Sequence, residues 1–331
     1  MHNGGTAMLP EGLVTGRRIL VVGHSFLGDA LMTTPFIRAL ADSGPDALGI
    51  LAAGHGLDVY GRLPFAPILH ERSEPSVIRR IRQTGYDLAF VLKDDLSSVL
   101  AVWRCAIKER RGFARECSSL FLTRAVRPSN APVHGAARHF ALAGIPPPPD
   151  LKTEYHLRAE ERARASVLLA EVGTPYIVLA PSTTRPEKNW PLEQCRDFIQ
   201  RITQSGQTVV LLGAGTDRQR HSLMSKDSGA LDLTGLTTTG EAAALIEGAA
   251  CVVACDSGPM HLAAALGRPL VALFGQTDPA RCGPCSTQAV ILRATTACSP
   301  CLNHRCGSGA RCMASIPAEK VCEACMHLTG L

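Results

Sequence analysis

The 331-residue sequence has few aromatic residues and no long hydrophobic run. Aromatic side chains make up 5% of the chain, and the most apolar region, residues 249–274, is broken by Asp256, His261 and Arg268. A membrane-spanning helix needs about 18 or more largely uninterrupted apolar residues. The segment before Ile19 also lacks the apolar core of a signal peptide. We therefore expect a soluble, cytoplasmic protein.

Charged residues are also scarce, at 19% of the chain, whereas hydrophobic residues account for 46%. This composition argues against a disordered or fibrous protein and indicates large buried cores. The chain is about twice as long as a typical domain of ~150 residues, so two domains are expected. The low aromatic content argues against nucleic acid as a partner, because no stacking platform is evident.

The formal net charge of +5 lies in the first half of the chain. Basic residues are concentrated there at Arg79, Arg80, Arg82, Lys93, Arg104, Lys108, Arg110, Arg111 and Arg115. Some of them belong to solvated helix faces, but as a group they predict an anionic ligand on the N-terminal half.

Strand-like and helix-like segments alternate through both halves, which predicts two doubly wound α/β domains with parallel sheets. We place the domains at residues 1–150 and 151–331, with the proline-rich region 128–149 as the connection between them. Ligands bind at the carboxyl ends of strands in such sheets, so two of them in tandem are expected to enclose a cleft.

Three loops that follow predicted strands carry the polar residues expected of a ligand site. The first, residues 23–29, is rich in glycine and ends with Asp29, but it lacks the G-x-G-x-x-G dinucleotide pattern. The second, residues 181–191, combines hydroxyl groups with Lys188, which suits a diphosphate. The third, residues 255–261, leads into a helix whose N-terminal amides can bind an anion.

Several segments resemble glycosyltransferase family 9, the heptosyltransferases. They are STTRPEKNWP, the stretch from DLTGLTTTG through CDSGPMHLAAALGRPLVALFGQTDP, and the N-terminal ILVVGHSFLGDALMTTPFIRAL. The resemblance covers roughly residues 18–325. It implies a GT-B fold, in which two Rossmann-like domains face each other across a cleft, with the acceptor on the N-terminal domain and the ADP-sugar donor on the C-terminal one.

The resemblance also implies the activity. We expect inverting transfer of a heptose from ADP-L-glycero-β-D-manno-heptose to an acceptor hydroxyl, with the lipopolysaccharide inner core as the expected acceptor. Asp29 matches the general base, and Lys188 would neutralise the departing ADP. The remaining matches on the donor side are Thr183, Thr184, Asp217, Thr237, Asp256, Ser257, Gly258 and His261. No cofactor is expected to be needed for the reaction.

An anionic glycolipid or glycan acceptor fits the basic N-terminal half, with Lys93, Arg111 and Arg115 as candidate contacts. Such an acceptor implies at most peripheral association with the inner face of the cytoplasmic membrane. Alternatives remain open: a protein (autotransporter) or natural-product acceptor, a GT-B sugar-nucleotide epimerase, or a non-catalytic binding protein. Intact Asp29, Lys188 and His261 argue against the last of these.

Thirteen cysteines are the main anomaly of the composition, and residues 282–325 are rich in them. Two C-x-x-C pairs predict a structural zinc or iron site formed by Cys298, Cys301, Cys322 and Cys325, with Cys306 and Cys312 as alternatives. Family members that glycosylate autotransporters resemble this in carrying iron bound by C-terminal cysteines. Free thiols in a compact loop are the competing interpretation.

One further cysteine motif, CGPC at residues 282–285, has the sequence of the thioredoxin redox tetrapeptide. A redox dithiol requires a thioredoxin fold in which the motif opens a helix. Here the motif follows FGQTDPAR, where the family has a loop, so we do not predict redox catalysis.

Overall fold

The computed structural model describes residues 9–330 apart from residues 11, 130, 171, 173–174, 302–305 and 307–310. The chain divides into two compact units, Met1–His156 and Leu157–Leu331. Each unit contains a six-stranded sheet in which every paired neighbour is parallel. The α/β architecture predicted for both halves is thereby confirmed.

The sheet of the N-terminal unit has the order β3-β2-β1-β4-β5-β6. Its strands are β1 (Arg18–Val22), β2 (Ala47–Ala52), β3 (Ile68–Glu71), β4 (Leu88–Val91), β5 (Glu109–Phe113) and β6 (Arg124–Val126). From β1 the strands are added in sequence to one side as β2 and β3, and then to the other side from β4 onward, so β1 and β4 are adjacent and parallel. Their carboxyl ends form the switch point at which doubly wound sheets bind ligands.

Among its described residues, five α-helices accompany this sheet: α1 (Leu27–Asp42), α2 (His55–Tyr60), α3 (Val77–Thr84), α4 (Leu96–Arg104) and α5 (Gly135–Arg138). Short 3₁₀ helices span Glu116–Phe121 and His139–Leu142. Local sequence explains the boundaries. The Asp95 carboxylate accepts a hydrogen bond from the Ser98 amide at the start of α4, and Gly85 closes α3 with a φ of 71°.

The sheet of the C-terminal unit has the order β12-β11-β10-β7-β8-β9. Its strands are β7 (Tyr176–Ala180), β8 (Thr208–Leu211), β9 (Leu231–Asp232), β10 (Cys251–Cys255), β11 (Leu270–Phe274) and β12 (Ala289–Arg293). Every residue of the three central strands β7, β10 and β11 is buried. Their near-continuous apolar sequences follow from helices covering both faces of the sheet.

The helices of this unit are α6 (Ala159–Leu168), α7 (Leu192–Gln204), α8 (Arg218–Ser225), α9 (Thr239–Gly248), α10 (Gly258–Ala265), α11 (Pro279–Cys282), α12 (Arg311–Ala314) and α13 (Ala318–Thr329). The 3₁₀ turns Pro186–Lys188 and Gly215–Asp217 follow β7 and β8. At α9, Thr238 and Glu241 satisfy each other's backbone amides in a capping box.

Helix α13 completes the core of the C-terminal unit, because its Val321, Cys322 and Cys325 pack with residues of α7, β10 and β11. Within the part of the chain that the structure describes, none of the helices is long and apolar enough to cross a membrane.

Candidate functional site

The carboxyl ends of β7, β10 and β11 lie side by side and present three polar loops at one edge of the C-terminal sheet. β10 pairs with both β7 and β11, so the segment after β10 lies between the other two. Two of these loops, at 181–191 and 255–261, are the ones that the sequence predicts. The third, which contains Thr277, was not anticipated.

Asp256 is the centre of this edge. Its Oδ2 lies 2.6 Å from Lys188 Nζ and accepts a hydrogen bond of 2.6 Å from Thr277 Oγ1. The Asp256 and Lys188 side chains are only 9% and 14% exposed, so water screens this ion pair weakly. Cys282 Sγ lies 3.7 Å from the same oxygen, and burial, followed by the Asp256 charge, raises the pKa of the Cys282 thiol to about 12.

The loop that carries Lys188 is held in shape by internal hydrogen bonds. The Thr183 amide donates to Asn189 Oδ1 over 2.7 Å, and Thr183 Oγ1 bridges the carbonyl and the amide of Arg185. Thr183 therefore shapes the loop with its side chain, whereas Thr184 beside it is exposed. At the end of the loop, the buried Trp190 donates its indole N–H to Ile316 O over 3.0 Å.

Helix α10 begins directly after Asp256, with Ser257 at the N-cap, Gly258 as its first residue and a proline in its first turn. Ser257 Oγ donates to the Cys255 carbonyl and does not cap the helix. The first amides of α10 therefore lack a side-chain acceptor from the cap, which is the arrangement that suits a bound anion. His261 lies one turn further on and is buried, so the structure places it among the packed residues of this helix.

Asp217 and Thr237 lie at the neighbouring part of the same edge, after β8 and β9. Asp217 accepts a hydrogen bond from the Ala214 amide over 3.1 Å and so closes the turn that precedes α8. Thr237 is half-buried immediately before α9.

A buried hydrogen-bond network of Ser182, His221 and Thr234 lies beneath these loops, and the sequence did not predict it. His221 Nε2 lies 2.8 Å from Ser182 Oγ, and its Nδ1 lies 2.7 Å from Thr234 Oγ1. These hydrogen bonds therefore join the segment after β7 to α8 and to the segment after β9. Burial lowers the pKa of His221, so the ring is neutral at pH 7. No motif surrounds His221 in the sequence, and only the strand order brings the three residues together.

The N-terminal unit presents a second polar group at the carboxyl ends of β1 and β4. Asp29 lies half-buried in the first turn of α1, where the helix dipole favours a carboxylate. His24 precedes it after β1, and burial lowers the pKa of His24, while Asp29, Lys93, Arg138 and Asp94 are the charges that act on it. The loops after the two adjacent strands thus contribute to one charged group.

Two of the cations in this group, Arg115 and Arg138, contact Asp94. Arg138 Nη2 contacts both oxygens of Asp94, at 2.8 and 2.6 Å, and Arg115 Nη2 lies 3.5 Å from Oδ2. Lys93 lies 3.5 Å from Asp95 Oδ2 and is 27% exposed, and Arg115 is 61% exposed. Arg138 and Asp94 were not predicted, although Asp94 follows β4 directly beside Lys93.

The expectation for Arg111 is wrong. Its side chain is 7% exposed, donates to Glu109 Oε1 over 2.7 Å and to Leu142 O over 3.3 Å, and lies over the Phe90 ring. Arg111 lies within β5, whose last three residues are all buried, and its charge is already balanced by Glu109. It is therefore part of the framework of the N-terminal unit.

The four cysteines predicted as metal ligands are not brought together. Cys322 and Cys325 are buried in the hydrophobic core, and Cys325 Sγ lies 3.8 Å from Cys251 Sγ. Cys298 and Cys301 instead line a small cavity with the two alternatives, Cys306 and Cys312, beside Glu187, Gly275, Gln276 and Ser299. Among the described residues, no three His, Cys, Asp or Glu side chains already have the arrangement of a metal site.

The CGPC motif ends a helix instead of opening one, since Cys282 is the last residue of α11. Burial raises the pKa of Cys282 to about 12 and that of Cys285 to about 11. Redox dithiols require the opposite shift of the nucleophilic thiol.

Residues 75–310 match the family model of glycosyltransferase family 9 (heptosyltransferase). Lipooligosaccharide heptosyltransferase 2 of Haemophilus ducreyi is 29% identical over 83% of this chain and 88% of its own length. The structure of Escherichia coli ADP-heptose lipopolysaccharide heptosyltransferase II superposes with a TM-score of 0.79 at 23% identity, covering 94% of this chain and 98% of that one.

A further structural neighbour is the iron-containing dodecameric glycosyltransferase TibC from enterotoxigenic E. coli. It superposes with a TM-score of 0.62 at 16% identity, covering 95% of this chain and 77% of that one. These comparisons confirm the GT-B fold and the resemblance on which the sequence interpretation depends. The chain belongs to glycosyltransferase family 9, and it is a glycosyltransferase of the heptosyltransferase type.

Proposed function

We propose that the protein transfers a heptose, with inversion, from ADP-L-glycero-β-D-manno-heptose to a hydroxyl of the lipopolysaccharide inner core. The observation that carries this proposal is the edge formed by Lys188, Asp256 and the N-terminus of α10. It places a cation and a helix N-terminus beside a carboxylate, as a ligand with both phosphates and sugar hydroxyls requires. The names of the curated relatives supply the sugar and the acceptor.

On the donor side, the diphosphate would lie against the first amides of α10, with Lys188 and the hydroxyl groups of Thr183 and Thr184. Asp256 cannot hold phosphate, because two anions repel each other, so its role in this proposal is to accept hydrogen bonds from heptose hydroxyls. Asp217 and Thr237 follow neighbouring strands of the same sheet, which suits contacts with the nucleoside.

The reaction is a single displacement. Asp29 takes the proton of the acceptor hydroxyl while that oxygen bonds to the anomeric carbon, and the bond from this carbon to the ADP oxygen breaks with its electron pair. Lys188 and the positive end of α10 stabilise the negative charge that develops on ADP. In this proposal the acceptor and its base belong to the N-terminal unit, and the groups that bind the donor belong to the C-terminal unit.

An anionic acceptor accounts for the cations of the N-terminal unit. Arg115 is the most exposed of them, at 61%, and Lys93 and Arg138, at 27% and 32%, belong to the same group. A phosphorylated or acidic glycan can replace the carboxylates that these side chains now contact. We place this reaction at the inner face of the cytoplasmic membrane.

We also propose that the C-terminal cysteines serve structure and not the transfer. Cys298, Cys301, Cys306 and Cys312 share one cavity, so these are the thiols that would hold a structural zinc or iron ion, in place of the predicted set. Metal analysis of the purified protein tests this. A bound metal lost in Cys301→Ser but kept in Cys322→Ser supports the revised set, and loss only in the latter contradicts it.

The donor is tested by thermal unfolding with ADP, UDP, GDP and ADP-heptose. A ligand that binds only the folded protein adds about 2.7 kcal/mol at ~100-fold excess over its Kd. We expect a shift with ADP and a larger shift with ADP-heptose, both reduced in Lys188→Met. A response to UDP and not to ADP would overturn the donor and favour the epimerase alternative.

A further inference from the structure

One face of the N-terminal unit combines exposed apolar side chains with arginines. Trp103, near the end of α4, is 50% exposed, and Leu120, in the 3₁₀ helix Glu116–Phe121, is 80% exposed. The Trp103 ring packs edge-to-face on Phe121, the neighbour of Leu120, with 5.4 Å between ring centroids. The two exposed side chains therefore belong to one patch, whereas isolated exposed apolar residues are ordinary on protein surfaces.

Three arginines border this patch, and none of them pairs with a carboxylate within the described part of the chain. Arg82 donates to the Arg104 carbonyl at the end of α4 over 3.0 and 2.6 Å, and Arg110 donates to the Phe121 carbonyl over 2.7 Å. None of the ion pairs between described residues involves Arg82, Arg104 or Arg110. Carbonyl oxygens orient two of the guanidinium groups, but they do not neutralise their charge.

We propose that this face, defined by Trp103, Leu120, Arg82, Arg104 and Arg110, docks on an anionic lipid bilayer. Tryptophan and leucine insert at the boundary between headgroups and acyl chains, and the arginines bind the anionic headgroups around them. The inference concerns a surface and does not depend on the proposed reaction, because lipid binding is measured without donor or acceptor.

The size of the patch favours a bilayer over a protein partner. A stable protein interface buries roughly 800 Å² on each partner, with a contiguous apolar centre. Two exposed apolar side chains within an arginine border are too few for that, whereas membrane affinity accumulates from single inserted side chains and single charges. If a second copy of the chain packed its own identical face here, three arginines would lie against three arginines and repel each other.

Tryptophan fluorescence provides a direct readout, because Trp103 and Trp190 are the two tryptophans of the chain. Trp190 is completely buried, so a change caused by vesicles reports Trp103. We expect a blue shift on adding vesicles of phosphatidylcholine with phosphatidylglycerol, and little change with phosphatidylcholine alone. The shift should disappear in Trp103→Phe and decrease at high salt, because salt screens the headgroup charges.

Vesicle co-sedimentation tests the remaining residues. Leu120→Glu and Arg104→Gln change exposed positions, and we expect the second to lower the partition coefficient about fivefold, the effect of one charge at an anionic surface. Val167→Glu alters a side chain that is 64% exposed on α6 of the other unit and should leave binding unchanged. Circular dichroism checks that each variant is folded.

Three results would overturn the proposal: no binding to anionic vesicles, equal binding to neutral ones, or equal losses in Leu120→Glu and Val167→Glu. Self-association of the wild-type protein that Leu120→Glu abolishes, without vesicle binding, would assign the face to a second copy of the chain.

Discussion

Three donors converge on one oxygen of Asp256, namely Lys188 Nζ, Thr277 Oγ1 and, more distantly, Cys282 Sγ. A carboxylate held in this way has a fixed orientation before any ligand arrives. Preorganised groups of this kind contribute most to catalysis, because they need no rearrangement in the transition state. We therefore expect Thr277 to orient Asp256, one of the two side chains that the sequence predicts.

Lys188→Met removes the cation and leaves Asp256 without its charge partner. Loss of one preorganised electrostatic contact costs about 3–4 kcal/mol of transition-state stabilisation, which is roughly a 10²–10³-fold decrease in kcat. Weaker ADP binding should accompany it in calorimetry. Lys320→Met, the same change at an exposed lysine of α13, serves as the matched control and should leave kcat unchanged. A Lys188→Met enzyme with wild-type kcat would contradict this role.

Asp29→Asn keeps the size of the side chain but removes the base. General-base catalysis typically contributes 10²–10⁴-fold, so kcat should fall by about that factor. Binding of ADP should not change, because Asp29 lies in the N-terminal unit and the proposed donor contacts lie in the other. Steady-state kinetics combined with ADP titration separate the two effects, and equal losses in both would argue that Asp29 is structural.

Trp190 joins the loop that carries Lys188, residues 181–191, to the segment that precedes α13. Its indole donates to Ile316 O, and its own amide donates to Pro181 O over 3.0 Å. The loop that ends at Trp190 therefore cannot shift without disturbing the C-terminal segment. Lys188, two residues before Trp190, is therefore held by this packing in addition to the hydrogen bonds within the loop.

Trp190→Phe should lower the free energy of unfolding by about 1–3 kcal/mol, because it leaves the buried Ile316 carbonyl without its donor. The matched control is Trp103→Phe, an exposed tryptophan whose replacement should change stability by less than about 0.5 kcal/mol. Urea unfolding followed by circular dichroism measures both. Similar values for the two variants would mean that the indole bond contributes nothing.

Sequence reasoning located the loops because glycine and proline mark the ends of strands and the starts of helices, as at Ser257–Pro259. It missed Thr277 and His221, since the strand order alone brings them to Asp256 and Ser182. The expectation for Arg111 failed for a related reason: a strand exposes or buries a side chain according to its register, and basic composition does not reveal register.

The whole molecule consists of two units that each enclose their own buried histidines. In the N-terminal unit, burial lowers the pKa of His24, His70 and His139, and in the C-terminal unit it lowers that of His221. A neutral buried histidine is favourable only while the unfolded chain is also neutral. Acidification therefore stabilises the unfolded state, in which these rings take up protons.

We therefore expect these histidines to leave the free energy of unfolding unchanged above pH 6.5, the ordinary histidine pKa, and to lower it as the pH decreases below that value. Each such ring lowers the free energy of unfolding by up to about 1.4 kcal/mol per pH unit, until the pH reaches the pKa of that ring in the folded protein. The N-terminal unit should lose more than the C-terminal one. Calorimetric scans at pH 7 and pH 5.5 measure this, with His139→Phe reducing the difference. Identical melting temperatures at both pH values would refute it.

Helix α13 has a consequence for genetics. Because its apolar face closes the core around β10 and β11, the C-terminal sheet depends on residues that lie far along the chain from its central strands. A premature stop codon after β12 and before Ala318 would remove this helix and leave that core open to water. Such an allele should behave as a complete loss of function, even though every proposed donor and acceptor residue would still be translated.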